Sequence, residues 1–203
     1  MRKIGKPAFV AALIGPIQSV LGWTIAGSLW AGYNPVKQTI SELAAPESPV
    51  NLIMSSFFVF GGTLTLIVSI SARTLATPGR VALFLTAIAT YGLTLFPTPL
   101  IGYSIWHRIF AISSFVLSAG WPLFAMRLRE DAPAILRPVA SITATVLQAI
   151  LAIAFLIVWV REPIDPFTGI WERVVAVSQS LYISVVVITV YLSQRKTTNQ
   201  PAI

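Results

Sequence analysis

Six apolar stretches, each close to the roughly 20 residues that a helix needs to cross a hydrocarbon layer, occupy most of this 203-residue chain. Backbone N–H and C=O groups in hydrocarbon must bond within their own segment, so stretches of this length and polarity specify helices. They cover residues 7–33, 49–72, 78–96, 105–126, 138–160 and 169–193. Pro49, Pro78 and Pro138 stand at or next to the start of a stretch, each following a polar residue (Ser48, Thr77, Arg137), where the missing N–H of proline costs nothing. The expected fold is all-α: a polytopic integral membrane protein whose six transmembrane helices form one bundle, a single six-span domain over residues 1–203 with a tail at 194–203. No Lys, Arg, Asp or Glu lies deep in any stretch, which argues against a charged relay, a voltage sensor or a retinal-type Schiff base.

Composition agrees, since 56% of the residues are hydrophobic and only 10% charged, and a soluble globule built from them would expose far too much apolar surface. The net charge of +7 does not point to nucleic acid. Its basic residues are scattered singly and in pairs at the ends of apolar runs, so the expected partner is membrane lipid. The chain has no cysteine, which excludes disulfides, thiolate catalysis and thiolate-ligated metal. The opening "MRKIGKPAFVAALIGP" has the charge pattern of a secretory signal, but the apolar run continues past signal length without a clear small-residue cleavage site. An uncleaved first helix is expected.

Lys and Arg in short loops set orientation. Arg2, Lys3, Lys6, Arg73, Arg80, Arg127, Arg129, Arg137, Arg195 and Lys196 fall on one side, against Lys37, Arg108, Arg161 and Arg173 on the other. Both termini are therefore expected in the cytoplasm of a cell facing its plasma membrane. Most acids (Glu42, Glu47, Glu162, Asp165, Glu172) fall on the opposite, outer face.

Chemistry-bearing residues gather on that outer face, in "NPVKQTISELAAPE", "FPTPLIGYSIWHR" and "REPIDPFTGIWER". In the first, Asn34 reads as a helix cap and Pro35 as a first-turn proline, with Val36, Ile40 and Leu43 at helical spacing. That short helix would make Lys37 a neighbour of Ser41, and Gln38 a neighbour of Glu42. His107, the single histidine, falls in the first turn of the fourth span with Ser104 as its cap, where the backbone N–H groups favour a neutral imidazole able to accept a proton. One histidine cannot make a histidine-rich metal site, and a mixed site with Glu42 and Glu172 is the remaining metal alternative. Glu172 suits the start of the sixth span. Arg173 opposes the helix dipole there, so an ion pair with Glu42, or a bound phosphate or carboxylate, would explain it. Gln18, Gln148 and Gln179 lie well inside their spans and are expected to hydrogen-bond between helices. Gly22, Gly27, Gly61 and Gly62 allow close helix approach.

The ordered set "YNPVKQTISELAAPE", "LFPTP" followed by "WHRIFA", and "GIWERV" resembles the bacterial and archaeal membrane family catalogued as domain of unknown function 998. The likeness covers nearly the whole chain. It implies a six-span domain whose signature positions match Ser41, Glu42, His107, Gly169 and Arg173, and it carries no assigned activity. A more distant likeness links the first motif to the multispan group of autophagy modulators and GPI-anchor remodelling factors, from which this chain departs by Ala44 near a glycine position.

Two functional readings follow from the residues. In one, the outer cluster binds a lipid headgroup or small anionic ligand, for binding or transport, through Arg173, Glu172, Arg108 and Lys37, or serves only as a structural staple of the loops. In the other, a membrane-embedded hydrolase or transferase acts on a lipid or envelope precursor, with His107 as general base, Ser41 as nucleophile or hydrogen-bond donor and Glu42 as orienting acid. Neighbouring residues on a helix point about 100° apart, so Ser41 and Glu42 cannot both address one imidazole with ease. No cofactor is expected in either case.

Overall fold

A computed structural model describes residues 3–160 and 166–198, with side chains to residue 195. Arg2, Arg161, Glu162 and Asp165 of the charge count lie outside the described residues, as does the side chain of Lys196. The elements are α1 (Lys6–Leu29), α2 (Ile40–Leu43), α3 (Asn51–Ser71), α4 (Thr77–Leu95), α5 (Ile105–Ala125), a 3₁₀ turn (Ala134–Leu136), α6 (Pro138–Val160) and α7 (Thr168–Thr198). All but α2 and the 3₁₀ turn are long and apolar enough to cross a membrane. The expected all-α bundle of six spans is the observed one.

Boundaries moved where local chemistry intervened. α1 stops at Leu29 rather than at residue 33, because Trp30 turns extended, Gly32 takes a positive φ of 87°, and Tyr33 folds back beside Gly27. α3 begins at Asn51, two residues after Pro49, since Ser48 accepts the N–H groups of Val50 (3.2 Å) and Asn51 (3.2 Å) in a turn. Asn51 in turn donates to the carbonyls of Ala44 (2.6 Å) and Ala45 (2.8 Å), locking the exit of the first loop.

The long helices pack in a closed ring: α1 on α3, α3 on α4, α4 on α5, α5 on α6, α6 on α7, and α7 back on α1. Small residues make the close approaches. Ala8, Ala11 and Ala12 of α1 join Leu64, Val68 and Val187 in the main core, and Gly79 at the start of α4 meets the backbone of Ala125. Outward faces carry exposed aliphatic side chains, as on α6 at Val139, Val146, Ile150 and Ile157. The buried amides tie helices together as expected. Gln148 exchanges hydrogen bonds with Ser178 (3.1 Å each), Gln179 donates to the Phe115 carbonyl (3.0 Å), and Gln18 reaches the Phe57 carbonyl (3.2 Å) in the amide orientation that satisfies both its ends.

The first and last described residues lie at one end of the ring, the basic end. There the N–H of Ile4 donates to Gln194 (3.0 Å), Gln194 donates to Thr74 (2.7 Å), and Arg127 donates to the Thr74 carbonyl (2.7 Å). Arg80 likewise ties the carbonyls of Ser69 (2.7 Å) and Ile70 (3.0 Å) at the end of α3, where a cation complements the helix dipole. The loop at 30–50, the loop at 96–104 and the start of α7 occupy the other end, the site end.

Candidate functional site

The first loop is shaped by two local devices. Asn34 accepts the N–H of Val36 (3.0 Å) through its side chain, closing a turn rather than starting a helix. The helix starts later, at a reciprocal capping box in which Thr39 accepts the N–H of Glu42 (3.1 Å) and Glu42 accepts the N–H of Thr39 (2.5 Å). The cap is therefore Thr39, not Asn34. The expected pairing of Lys37 with Ser41 on one helical face is lost with it: Lys37 is exposed in the turn, and its carbonyl, not its ammonium, enters the site.

That turn docks on α7. The first-turn N–H groups of α7, which have no partner inside their own helix, find the loop instead: Gly169 donates to Lys37 (3.2 Å) and Ile170 to Val36 (3.2 Å). Arg173 completes the joint. Its guanidinium donates to the carbonyls of Pro35 (2.9 Å), Gln38 (3.0 Å) and Gly169 (2.8 Å) and to the Tyr33 hydroxyl (2.5 Å), and it stacks over the rings of Tyr33 and Trp23. The expected Glu42–Arg173 ion pair does not form. Among the described residues the only ion pair within 4.0 Å joins Arg129 and Asp131, both well exposed at the basic end. A fork with several donors is satisfied better by three converging carbonyls and a phenol than by a carboxylate already used in a cap. Tyr33 passes the connection on, donating to the Thr39 carbonyl (2.8 Å), and burial pushes its phenol up to about 12 against the opposing charge of Arg173.

Glu172 faces the other way, into the bundle. It is buried, and its carboxylate accepts the N–H of Ile40 and the hydroxyl of Ser41 (3.0 Å). The acid at the start of the last span thus caps the short helix of the first loop, 132 residues away in sequence. His107 is almost completely buried, at 2% exposure. Its backbone N–H is capped by Ser104 (3.2 Å), as expected, and its ring Nδ1 lies 3.0 Å from the Phe96 carbonyl. A carbonyl only accepts, so Nδ1 carries the proton and Nε2 is left with the lone pair in the neutral ring. The Phe96 carbonyl, not Glu42, orients the imidazole, so the Ser41–His107–Glu42 set does not assemble as a triad.

These residues nevertheless converge. A cavity of about 100 Å³ at the site end is lined by Ser41, Glu42, His107, Arg108 and Glu172, together with Thr39, Thr98, Tyr103, Phe155 and Trp159. The loop carrying Thr98 and Tyr103 is drawn onto the first by the Leu100 N–H, which donates to Glu47 (3.2 Å). Arg173 and Lys37 do not line the cavity. Arg108 does, held over the rings of Tyr103 (4.6 Å) and Trp159 (5.5 Å). His107, Glu42 and Glu172 share the cavity, yet among the described residues no three His, Asp or Glu side chains stand close enough to hold a metal. Sequence reasoning missed Tyr33 and Thr39. The second carried a legible signal, Thr-x-x-Glu ahead of apolar residues.

A ring of six long apolar helices with its charged groups at the two ends defines an integral membrane protein. Residues 13–189 match the family described as Protein of unknown function (DUF998), and the chain belongs to that family. Comparison with curated proteins and with solved structures gave no match.

Proposed function

We propose that the site-end cavity binds an anionic group, either the phosphate or carboxylate of a lipid headgroup or a small free anion, and that the protein serves in binding or transport of that ligand. One observation carries this reading. Arg108 lines the cavity; its guanidinium lies over two aromatic rings and donates to no acceptor among the described residues, whereas the guanidinium of Arg173 is used within the fold. A guanidinium fork without an acceptor beside a buried imidazole matches a phosphate or carboxylate. The carboxylates nearby do not supply the acceptor: both oxygens of Glu172 already accept hydrogen bonds, Glu42 spends Oε2 on its capping box, and among the described residues neither forms an ion pair with Arg108.

In purified protein in lipid nanodiscs, Arg108→Ala and His107→Ala are expected to weaken retention of anionic lipid by about ten-fold or more, the scale of one charge-assisted hydrogen bond. Native mass spectrometry reads the bound lipid. Retention unchanged in both variants would overturn the proposal. The enzymatic reading keeps one supporting observation, that the Ser41 hydroxyl and the His107 ring line one cavity with Ser41 bonded to Glu172. Turnover of labelled lipid, abolished by both His107→Ala and Ser41→Ala, would favour it over binding.

The site end is proposed to face outward from the plasma membrane with both termini in the cytoplasm, on the strength of the basic residues collected at the opposite end. Because the chain has no cysteine, a single Cys replacing Glu47 is expected to react with an impermeant thiol reagent in intact cells, and one replacing Arg129 only after permeabilisation. The reverse pattern would invert the orientation.

A further inference from the structure

The interior of the helix ring contains a second and larger cavity, of about 180 Å³, between α1, α3, α4, α5 and α7. Its lining runs from Ala11 to Trp23 on α1, from Met54 to Val68 on α3 and from Glu172 to Ser184 on α7. At 1.5 Å of rise per residue these stretches extend ~18–21 Å along the ring axis. A void of that length and volume is a narrow slot. For scale, a compact engineered cavity of about 150 Å³ holds one benzene.

The slot begins where the polar cavity ends. Ser41, Ala111, Phe115 and Glu172 line both, so the bonded Ser41–Glu172 pair and two residues of α5 form a neck between them. Past the neck, much of the polar lining is satisfied by protein. The hydroxyls of Thr65, Thr86 and Thr90 donate to carbonyls of Gly61, Ala82 and Thr86 in their own helices (2.9–3.0 Å), Ser184 donates to the Ala12 carbonyl (2.5 Å), and the Gln179 amide is spent on Phe115. What these side chains turn to the void is largely hydrocarbon, beside Trp23, Phe57, Leu64, Leu93 and Ile183. Hydroxyls without a described partner remain at Ser19, Ser114, Ser118 and Ser180, spread over three helices, too few for a continuous wet lining.

We propose that the ligand is a single-chain amphiphile, with its phosphate or carboxylate head in the polar cavity and its alkyl chain passing the neck into the slot. This rests on the anion-binding reading above and names the class of molecule that fills both cavities. A free anion would leave the slot without a role. A two-chain lipid would have to leave one chain outside it.

The test uses the full chain in nanodiscs, with inorganic phosphate and with butyl, octyl, dodecyl and hexadecyl phosphate and the matching fatty acids as probes, each below its micelle threshold and corrected for empty nanodiscs. Burial of a methylene is worth about 0.8 kcal/mol, so affinity should rise about four-fold per added carbon and then level off once the slot is full. Gly15→Phe is the blocking variant. Gly15 lines the slot and a Cβ there meets nothing within 4 Å, so the larger side chain starts without a clash at its root and adds its ring at the wall of the void. It should bring the plateau forward to shorter chains and leave inorganic phosphate binding unchanged. Ala176→Leu, on α7 one turn past Glu172, lines the slot but not the polar cavity; it should do the same and guards against one variant failing to fold.

Equal affinity for inorganic phosphate and octyl phosphate in the wild type would overturn the chain assignment while the headgroup reading stands. A chain-length gain untouched by both blocking variants would place the chain elsewhere and overturn it too. No binding of any anion, with or without a chain, would remove the underlying reading and this inference together.

Discussion

Glu172→Ala is expected to lower the stability of the protein by about 3–5 kcal/mol, the cost of losing two hydrogen bonds to a buried carboxyl group and leaving buried donors unmet. The Ile40 N–H is a first-turn donor that α2 cannot satisfy, and the carboxylate of Glu172 meets it along with the Ser41 hydroxyl. Alanine supplies neither contact and leaves a void between the first loop and α7. Glu172→Gln should cost less than half as much, because the amide oxygen still accepts the Ile40 N–H and the amide nitrogen can donate to the Ser41 oxygen. Thermal unfolding of the purified protein in nanodiscs reads both. If Glu172→Ala melts within a degree of the wild type, the carboxylate does not hold the first loop.

Gly169→Ala is expected to be nearly as damaging, at about 3 kcal/mol, for a steric reason. A Cβ at this position would lie 2.6 Å from the Pro35 carbonyl oxygen and press on the Gln38 carbonyl. Both obstacles are backbone, held in place by Arg173, so neither can swing aside. The loop would have to lift from α7, breaking the Gly169–Lys37 and Ile170–Val36 hydrogen bonds and opening the polar cavity. The expected readout is faster proteolytic nicking in the segment 34–38 together with a lower melting temperature. Gly15→Ala is the control, since its Cβ meets nothing and alanine favours a helix over glycine by about 1 kcal/mol. It should melt no lower than the wild type, and a Gly169→Ala protein that behaves like this control would remove the steric argument.

The spans were legible because hydrocarbon leaves a backbone one economical solution, and the buried amides because an unpaired amide there has nowhere else to turn. Ser104 as the cap before His107 was equally plain. Charge matching served less well. Glu42 and Arg173 are opposite charges at the same end of the ring, yet each meets its needs in backbone, one in its own capping box and the other at three carbonyls. Sequence gives the sign of a charge but not the carbonyls that a turn will aim at it. Asn34 was read as the cap, yet Thr39 takes that place through its box with Glu42, and Glu172, far along the chain, adds an acceptor at Ile40. The inner slot left no trace in sequence, because the alanines, serines and glycines that line it are the same residues that elsewhere draw helices together.

The mutual capping of the first loop and α7 also has a temporal side. Among the described residues, the Ile40 N–H and the Pro35 carbonyl receive their side-chain partners from Glu172 and Arg173 alone. While the ribosome is still making the earlier helices, the first loop therefore has its capping box but not its anchor. The polar cavity is assembled last, by the arrival of the final helix, and a nascent or truncated product ending before α7 carries every span but that one and no finished mouth.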